Sequence, residues 1–100
     1  MKIRWSRPAQ SDLDSIFDYI AEDNPAAAER VARSILQSVE RLQEHPGIGR
    51  PGRVPGTREL VIAGLPYIVV YRLAADRVPS AGVNVTVLRV LRGAMGWPPA

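Results

Sequence analysis

The chain has 100 residues, of which 46% are hydrophobic and 23% charged, a composition typical of a globular domain rather than of a disordered segment. It has no cysteine and one histidine, His45, which excludes disulfides, thiolate metal sites, cysteine nucleophiles and His-rich metal sites. We expect a single domain over residues 1–100, with no metal ion and no other cofactor.

The amino terminus, MKIRW, lacks the apolar segment that follows the basic residues of a signal peptide. No later stretch approaches the roughly 20 apolar residues that a helix needs to span a bilayer. The sequence therefore predicts a cytoplasmic protein that does not associate with a membrane.

The first two predicted elements are a short strand over Lys2–Ser6 and an amphipathic helix over residues 8–22. Pro8 suits the first turn of a helix, because the N–H that proline lacks would have no helical partner there. Behind it, apolar residues recur at steps of three and four, and acidic residues cover the other face. The apolar positions are Leu13, Ile16, Phe17 and Ile20, and the acidic ones are Asp12, Asp14, Asp18 and Glu22.

A second helix is predicted to begin after Asn24, since asparagine is a favourable N-cap and Pro25 a favourable first residue. Its apolar residues again follow steps of three and four, and the segment 45–47, His-Pro-Gly, ends it. So short a turn between two helices predicts an antiparallel helical hairpin. The apolar stripe consists of Ala28, Val31, Ile35, Val39 and Leu42.

Residues 46–57 have Gly or Pro at seven of twelve positions and are predicted to form a loop, because neither residue suits a helix or a central strand. Three β-rich runs, over residues 58–62, 66–73 and 83–91, predict an antiparallel meander. With the first strand added, the fold is α+β with the order β-α-α-β-β-β, the helical hairpin packing on one face of a mainly antiparallel, four-stranded sheet. We expect the second face to be open to a ligand or partner.

Charge is divided unevenly along the chain. Residues 1–49 hold six basic and eight acidic side chains, whereas residues 50–100 hold seven arginines, no lysine and two carboxylates. Arginine presents a planar fork that binds carboxylates and phosphates through two hydrogen bonds, so this bias favours recognition of an anion. The arginine codons of a GC-rich genome would explain the bias equally well.

Six arginines lie on the three predicted C-terminal strands or on the loop that precedes them. We expect at least two of them to converge within the reach of one target or anion. Alternation along the last strand does not decide which of its two arginines faces the open side, and a bulge would place both there. The six are Arg50, Arg53, Arg58, Arg72, Arg89 and Arg92.

Groups for acid–base chemistry are scarce. His45 is expected only to end the second helix, and Glu59, next to Arg58, is expected to form an ion pair. Tyr67 and Tyr71 alternate with valine and are expected to pack in the sheet. The sequence alone thus gives poor support for an enzyme active site.

Taken in order, five segments of the chain resemble the RelE/ParE superfamily of bacterial toxins, which belong to type II toxin–antitoxin operons. The resemblance covers nearly the whole chain. The segments are Trp5–Ala9 with Asp12, Leu13, Ile16, Tyr19 and Ile20; Pro46–Arg50; Arg58–Leu60; Pro66–Arg72; and Leu88–Gly93 followed by Trp97 and Pro98.

The resemblance implies a growth-arresting toxin that a ParD-like or RelB-like antitoxin grips and neutralises. RelE-like members cut mRNA on the ribosome, and ParE-like members inhibit DNA gyrase. Relatives of the nuclease branch often carry a histidine where this chain has Arg92, and arginine is a poor general base. The resemblance therefore favours the ParE-like, non-enzymatic activity.

Two alternatives remain open. In the first, the chain is an mRNA endonuclease that uses Arg58, Arg89 and Arg92 to stabilise phosphate charge. In the second, it is a binding module that has lost its toxicity.

Overall fold

The computed structural model describes residues 2–93, which form two helices and one five-stranded sheet. The predicted order of strands and helices is confirmed, and a fifth, very short strand lies inside the predicted loop. The elements are β1 (Ile3–Trp5), α1 (Arg7–Ala21), α2 (Pro25–Glu40), β2 (Arg50–Pro51), β3 (Arg58–Val61), β4 (Tyr67–Ala75) and β5 (Val83–Arg92). Trp97 and Pro98, which contribute to the resemblance, lie outside the described residues.

Helix α1 begins one residue earlier than predicted because Ser6 caps it. The Ser6 Oγ accepts a hydrogen bond from the backbone N–H of Ala9 at 3.1 Å, which satisfies a donor that the helix itself leaves unpaired. The same hydroxyl donates to the carbonyl of Leu88 at 2.9 Å. The cap therefore also joins the start of α1 to β5.

Helix α2 begins as predicted, with Asn24 as its N-cap. The Asn24 side chain accepts a hydrogen bond from the N–H of Ala27 at 3.1 Å, and Pro25 is the first helical residue. The N–H of His45 donates to the carbonyl of Arg41 at 3.0 Å, just past the single 3-10 turn that continues the helix. Of the helices described, none is long and apolar enough to cross a membrane.

The sheet has the strand order β1-β5-β4-β3-β2, with β1 parallel to β5 and every other pair antiparallel. The prediction of four strands was wrong, because Arg50 pairs with Glu59 and Pro51 with Arg58. Because proline has no backbone N–H, Pro51 cannot complete the hydrogen bonds that a strand with a neighbour on each side needs. Strand β2 is therefore restricted to the edge of the sheet. Loop composition concealed this short pairing.

A β-bulge interrupts the pairing of β4 with β5. Val70 lies opposite Arg89, but the next residue, Tyr71, lies opposite Val87. Leu88 is therefore an extra residue in β5, and the alternation of side chains changes there. The bulge that the sequence allowed is present.

Both faces of the sheet carry buried apolar side chains. The face under the helices holds the main core, whose buried residues are Ala9, Ile35, Val39, Leu42, Ile62, Tyr67, Val69, Tyr71, Val85, Val87 and Val90. The second face holds a smaller cluster of Ile68, Val70 and Leu91, with half-buried Leu88 beside it. The expectation of an open second face was thus wrong at its centre, where these side chains are shielded from water.

Candidate functional site

Glu59 is a buried carboxylate on the second face of the sheet, with 2% of its surface exposed. Its Oε1 accepts a hydrogen bond from Nη2 of Arg50 at 3.1 Å, and its Oε2 accepts one from the backbone N–H of Arg53 at 3.0 Å. The Nε of Arg53 lies 3.4 Å from the same Oε2. The ion pair expected for Glu59 is therefore present, and its partners are two arginines of the preceding loop.

The hydrogen bonds determine the ionisation of Glu59. Burial by itself would raise the pKa of this carboxyl, but the hydrogen bonds from Arg53 and Arg50, together with the charge of Arg53, lower the pKa below its usual range. Glu59 is consequently a stable anion at neutral pH. A carboxylate held in this way anchors the loop and is unsuited to proton transfer.

Arg58 and Tyr71 hold the glycine-rich loop from the other side. Nη1 of Arg58 donates to the carbonyls of Gly47 and Gly49 at 3.2 and 2.8 Å. The hydroxyl of Tyr71 donates to the carbonyl of Pro46 at 2.8 Å and accepts from the N–H of Gly49 at 2.9 Å. Burial raises the pKa of Tyr71 despite that N–H and the charge of Arg58. Both side chains thus act as supports of the loop.

Arg89 makes a bidentate ion pair with Asp12 of α1. The Arg89 Nε and Nη2 lie 2.7 and 2.9 Å from the two Asp12 oxygens, and the backbone N–H of Val90 donates to Asp12 at 2.9 Å. The Asp12 hydrogen bond raises the pKa of Arg89, and burial opposes that shift. Arg89 therefore fastens α1 to β5.

A first groove, which we call the helix groove, lies between α1 and the end of β5 and has a volume of about 210 Å³. Tyr19 stands beside it with 70% of its surface exposed. The groove combines apolar side chains with charge, because the Asp12–Arg89 pair and Arg92 also border it. Its lining consists of Asp12, Ser15, Ile16, Tyr19, Tyr67 and residues 89–92.

A second groove, the Arg50–Arg92 groove, has a volume of about 350 Å³. Arg92 is exposed at the end of β5, opposite Tyr67, and Arg50 keeps 55% of its side chain exposed despite its bond to Glu59. The floor between the two arginines is apolar. Its lining consists of Arg50, Val61, residues 65–68, Arg92 and Gly93.

The six predicted arginines thus do not form one cluster. Arg58 lies opposite Tyr71 and Arg92 opposite Tyr67, on the two neighbours of β4. Four residues along a strand and two strand spacings across separate their Cα atoms by about 16 Å. Arg72 is exposed and lies opposite Thr86, towards the other end of the sheet.

Sequence reasoning missed the two residues that shape the helix groove. Asp12 was grouped with the solvated acidic face of α1, although its partner Arg89 lies 77 residues away in the chain. Tyr19 falls outside the apolar stripe of α1, and that position off the stripe was the available signal for an exposed aromatic side chain.

A profile of the family described as the ParE toxin of the type II toxin–antitoxin system parDE matches residues 3–97. The chain belongs to the ParE toxin family. As a ParE-family protein it is a type II toxin of the RelE/ParE superfamily, which confirms the resemblance seen in the sequence.

Curated relatives of this ParE-family chain carry toxin names. It is 43% identical to Y4kP of Sinorhizobium fredii, which is named as a candidate toxin, over 97% of this chain and 93% of that protein. It is 36% identical to Toxin RelE2 of Caulobacter vibrioides over 73% of this chain and 81% of that protein. It is 32% identical to Toxin ParE1 of the same bacterium over 92% and 88% of the two chains.

Solved structures share the fold. A chain described as the chromosomal ParDE system from P. aeruginosa is 33% identical, with a TM-score of 0.76 over 92% of this chain and 95% of that chain. A chain of the RelBE2 toxin–antitoxin complex from Mycobacterium tuberculosis is 22% identical, with a TM-score of 0.61 over 91% and 95%. The second likeness concerns the fold alone. The predicted α+β fold is confirmed.

Proposed function

We propose that this ParE-family chain arrests bacterial growth by binding a protein target, DNA gyrase, and that a cognate antitoxin neutralises it. Membership of the ParE toxin family supports the toxin activity. The choice of gyrase rests on the resemblance of the sequence to the ParE-like branch. We place the chain, its target and its antitoxin in the cytoplasm.

The chemistry of the described residues supports a binding mechanism. Glu59 is held as an anion by two arginines, and the hydroxyl of Tyr71 is buried and committed to two loop groups. His45 is exposed beyond the end of α2 and is not among the residues that line either groove. Asp12 is the one carboxylate among the described residues that line the two grooves, and both of its oxygens are bound to Arg89.

The single observation that carries the proposal is the pair of exposed arginines in the Arg50–Arg92 groove. Two guanidinium groups border an apolar floor there, and arginines beside apolar pockets are typical of residues that dominate protein–protein affinity. We assign direct target contact to Arg50 and Arg92. Arg53, Arg58 and Arg89 would support this surface by holding the loop and α1 in place.

For the antitoxin we propose the helix groove. Tyr19 and Ile16 offer an apolar surface, and Arg89 and Arg92 add positive charge at one end. An amphipathic segment with apolar anchors and acidic residues would complement both. The description of the structural neighbour that is 33% identical as a ParDE system supports an antitoxin partner of the ParD-like or RelB-like type.

Controlled expression in a bacterium tests the toxin activity. We expect growth to stop after induction, and we expect co-expression of the antitoxin encoded beside the gene to restore it. Unimpaired growth on verified expression of the folded chain would contradict the proposal.

The RNA of arrested cells then distinguishes the mechanisms. A gyrase-directed toxin leaves mRNA intact during the first minutes of arrest. Early mRNA cleavage that purified chain and ribosomes reproduce would instead establish the endonuclease alternative.

A further inference from the structure

We infer that the end of the sheet where β4 stops and β5 begins is a contact surface for the phosphate backbone of duplex DNA. We call this surface the basic end and define it by four cations. They are Lys2, Arg4, Arg72 and Arg77.

The strand pairing places two of these cations on one face. Arg4 of β1 lies beside Thr86 of β5, and Arg72 of β4 lies opposite the same Thr86. Paired residues on adjacent strands project to the same side of a sheet. Arg4 and Arg72 therefore flank Thr86, with Cα atoms about 10 Å apart at two strand spacings, and both are exposed.

A shallow concavity of about 500 Å³ extends this row. Lys2, Arg4 and Arg77 line it together with Asn84 and Thr86. Asp76 is the one carboxylate among the described lining residues, and the N–H of Val78, Asn84 and the charge of Lys2 lower its pKa, so Asp76 remains ionised at neutral pH. Four cations against one anion leave a clear positive excess.

The basic end concentrates arginines that make no ion pair in the described part of the chain: it holds three, whereas the two grooves hold one, Arg92. Arg50, Arg53 and Arg89 each pair with a carboxylate. Within residues 2–93, Arg4, Arg72 and Arg77 make no ion pair. Exposed cations that repel one another favour the binding of a polyanion, because binding removes the repulsion and releases counterions from the polyanion.

The remaining lining favours a duplex over other anions. Among the described residues of the lining, Ala74 and Ala75 are the apolar ones, and none is aromatic. Protein partners usually need an apolar or aromatic centre, and single strands stack their bases on aromatic rings. A duplex presents phosphates outwards, which Arg, Lys, Asn and Thr side chains contact without reading the sequence.

This surface would act independently of the Arg50–Arg92 groove. If the protein target works on DNA, as gyrase does, the basic end would hold the toxin against the nucleic acid of that complex. DNA binding is therefore to be measured without gyrase, so that its failure leaves the proposed function untouched.

Fluorescence anisotropy with a labelled duplex of about 20 base pairs tests the inference on the whole chain. About four phosphate contacts predict a slope near −3.6 for the logarithm of affinity against the logarithm of salt concentration, or roughly a 100-fold loss between 50 and 200 mM salt. No binding at 50 mM salt would overturn the inference. Tighter binding of a single strand, with as many nucleotides as the duplex has in total, than of the duplex itself would also overturn the inference.

A matched pair of variants separates this surface from net charge. Arg4→Ala with Arg72→Ala should weaken binding at least 10-fold and reduce the slope by about two. Arg30→Ala with Arg33→Ala removes the same charge from the exposed face of α2 and should leave binding within about twofold of the original chain. Equal losses in both variants would overturn the inference. Arg72→Ala alone, which leaves edge strand β1 intact, should reduce the slope by about one.

Discussion

At the scale of single residues, Glu59 shows how a buried charge is stabilised by the loop it organises. A carboxylate with 2% exposure would cost several kcal/mol to bury without partners. Here the backbone N–H of Arg53 and the guanidinium of Arg50 supply those partners. The folded state therefore prefers the ionised form.

This preference predicts a dependence of stability on pH. The folded pKa of Glu59 lies below the ordinary 4.5, so the stabilisation is complete above about pH 4.5 and is lost as pH falls through the lower folded pKa. Glu59→Gln should cost about 1–3 kcal/mol of unfolding free energy at pH 7, and urea denaturation should show this difference from the original chain narrowing as the pH falls below about 4.5. A difference in stability that stays constant as the pH falls below about 4.5 would contradict the argument.

Gly49 is required by the ring of Tyr71. A Cβ at Gly49 would lie 2.6 Å from the Tyr71 hydroxyl and 2.7 Å from its Cε1, and the ring of Tyr71 is fully buried. We expect Gly49→Ala to lower the free energy of unfolding by about 1–3 kcal/mol, as overpacking does. Thermal melting followed by circular dichroism measures this.

Gly47 provides the matched control for that substitution. It lies two residues earlier in the same loop, and a Cβ there would meet no atom within 4 Å. Gly47→Ala should change stability by less than about 0.5 kcal/mol. If Gly49→Ala and Gly47→Ala lowered the free energy of unfolding by similar amounts, a clash with the ring of Tyr71 would not be the cause.

At the scale of elements, the ion pair of Asp12 with Arg89 connects α1 to β5. Asp12→Ala removes two bonds to Arg89 and one to the N–H of Val90, and we expect a cost of about 2 kcal/mol. Asp14→Ala, on the exposed face of the same helix, should cost less than about 0.5 kcal/mol. A double-mutant cycle with Arg89→Ala should give a coupling of at least about 1 kcal/mol, and a coupling near zero would refute the connection.

The helices were predictable because their signals are local. Ser6 and Asn24 cap them through bonds to residues three positions on, and the apolar spacing of α2 identifies its buried face. Strand β2 was missed because it has only two residues, one of which is proline, and so short a segment shows no strand pattern. Its pairing depends on the buried Glu59 of β3, a contact that composition does not reveal.

At the scale of the whole molecule, the abundance of arginine in the C-terminal half could be read from the sequence. The positions of the arginines relative to one another and to their partners could not. The chain pairs Arg89 with a carboxylate 77 residues away and directs Arg58 to two carbonyls. Which arginines remain available therefore depends on tertiary contacts. Arg92 and Arg72 are exposed in the structure, at opposite ends of the sheet.

The central claim is that the chain acts on a protein target through the Arg50–Arg92 groove. It is tested most directly by DNA supercoiling with purified gyrase and purified chain. The original chain and the control Arg33→Ala should inhibit supercoiling, whereas Arg92→Ala, equally stable in melting experiments, should require at least about 10 times more protein. Absence of inhibition by the original chain, or equal inhibition by Arg92→Ala, would contradict the account.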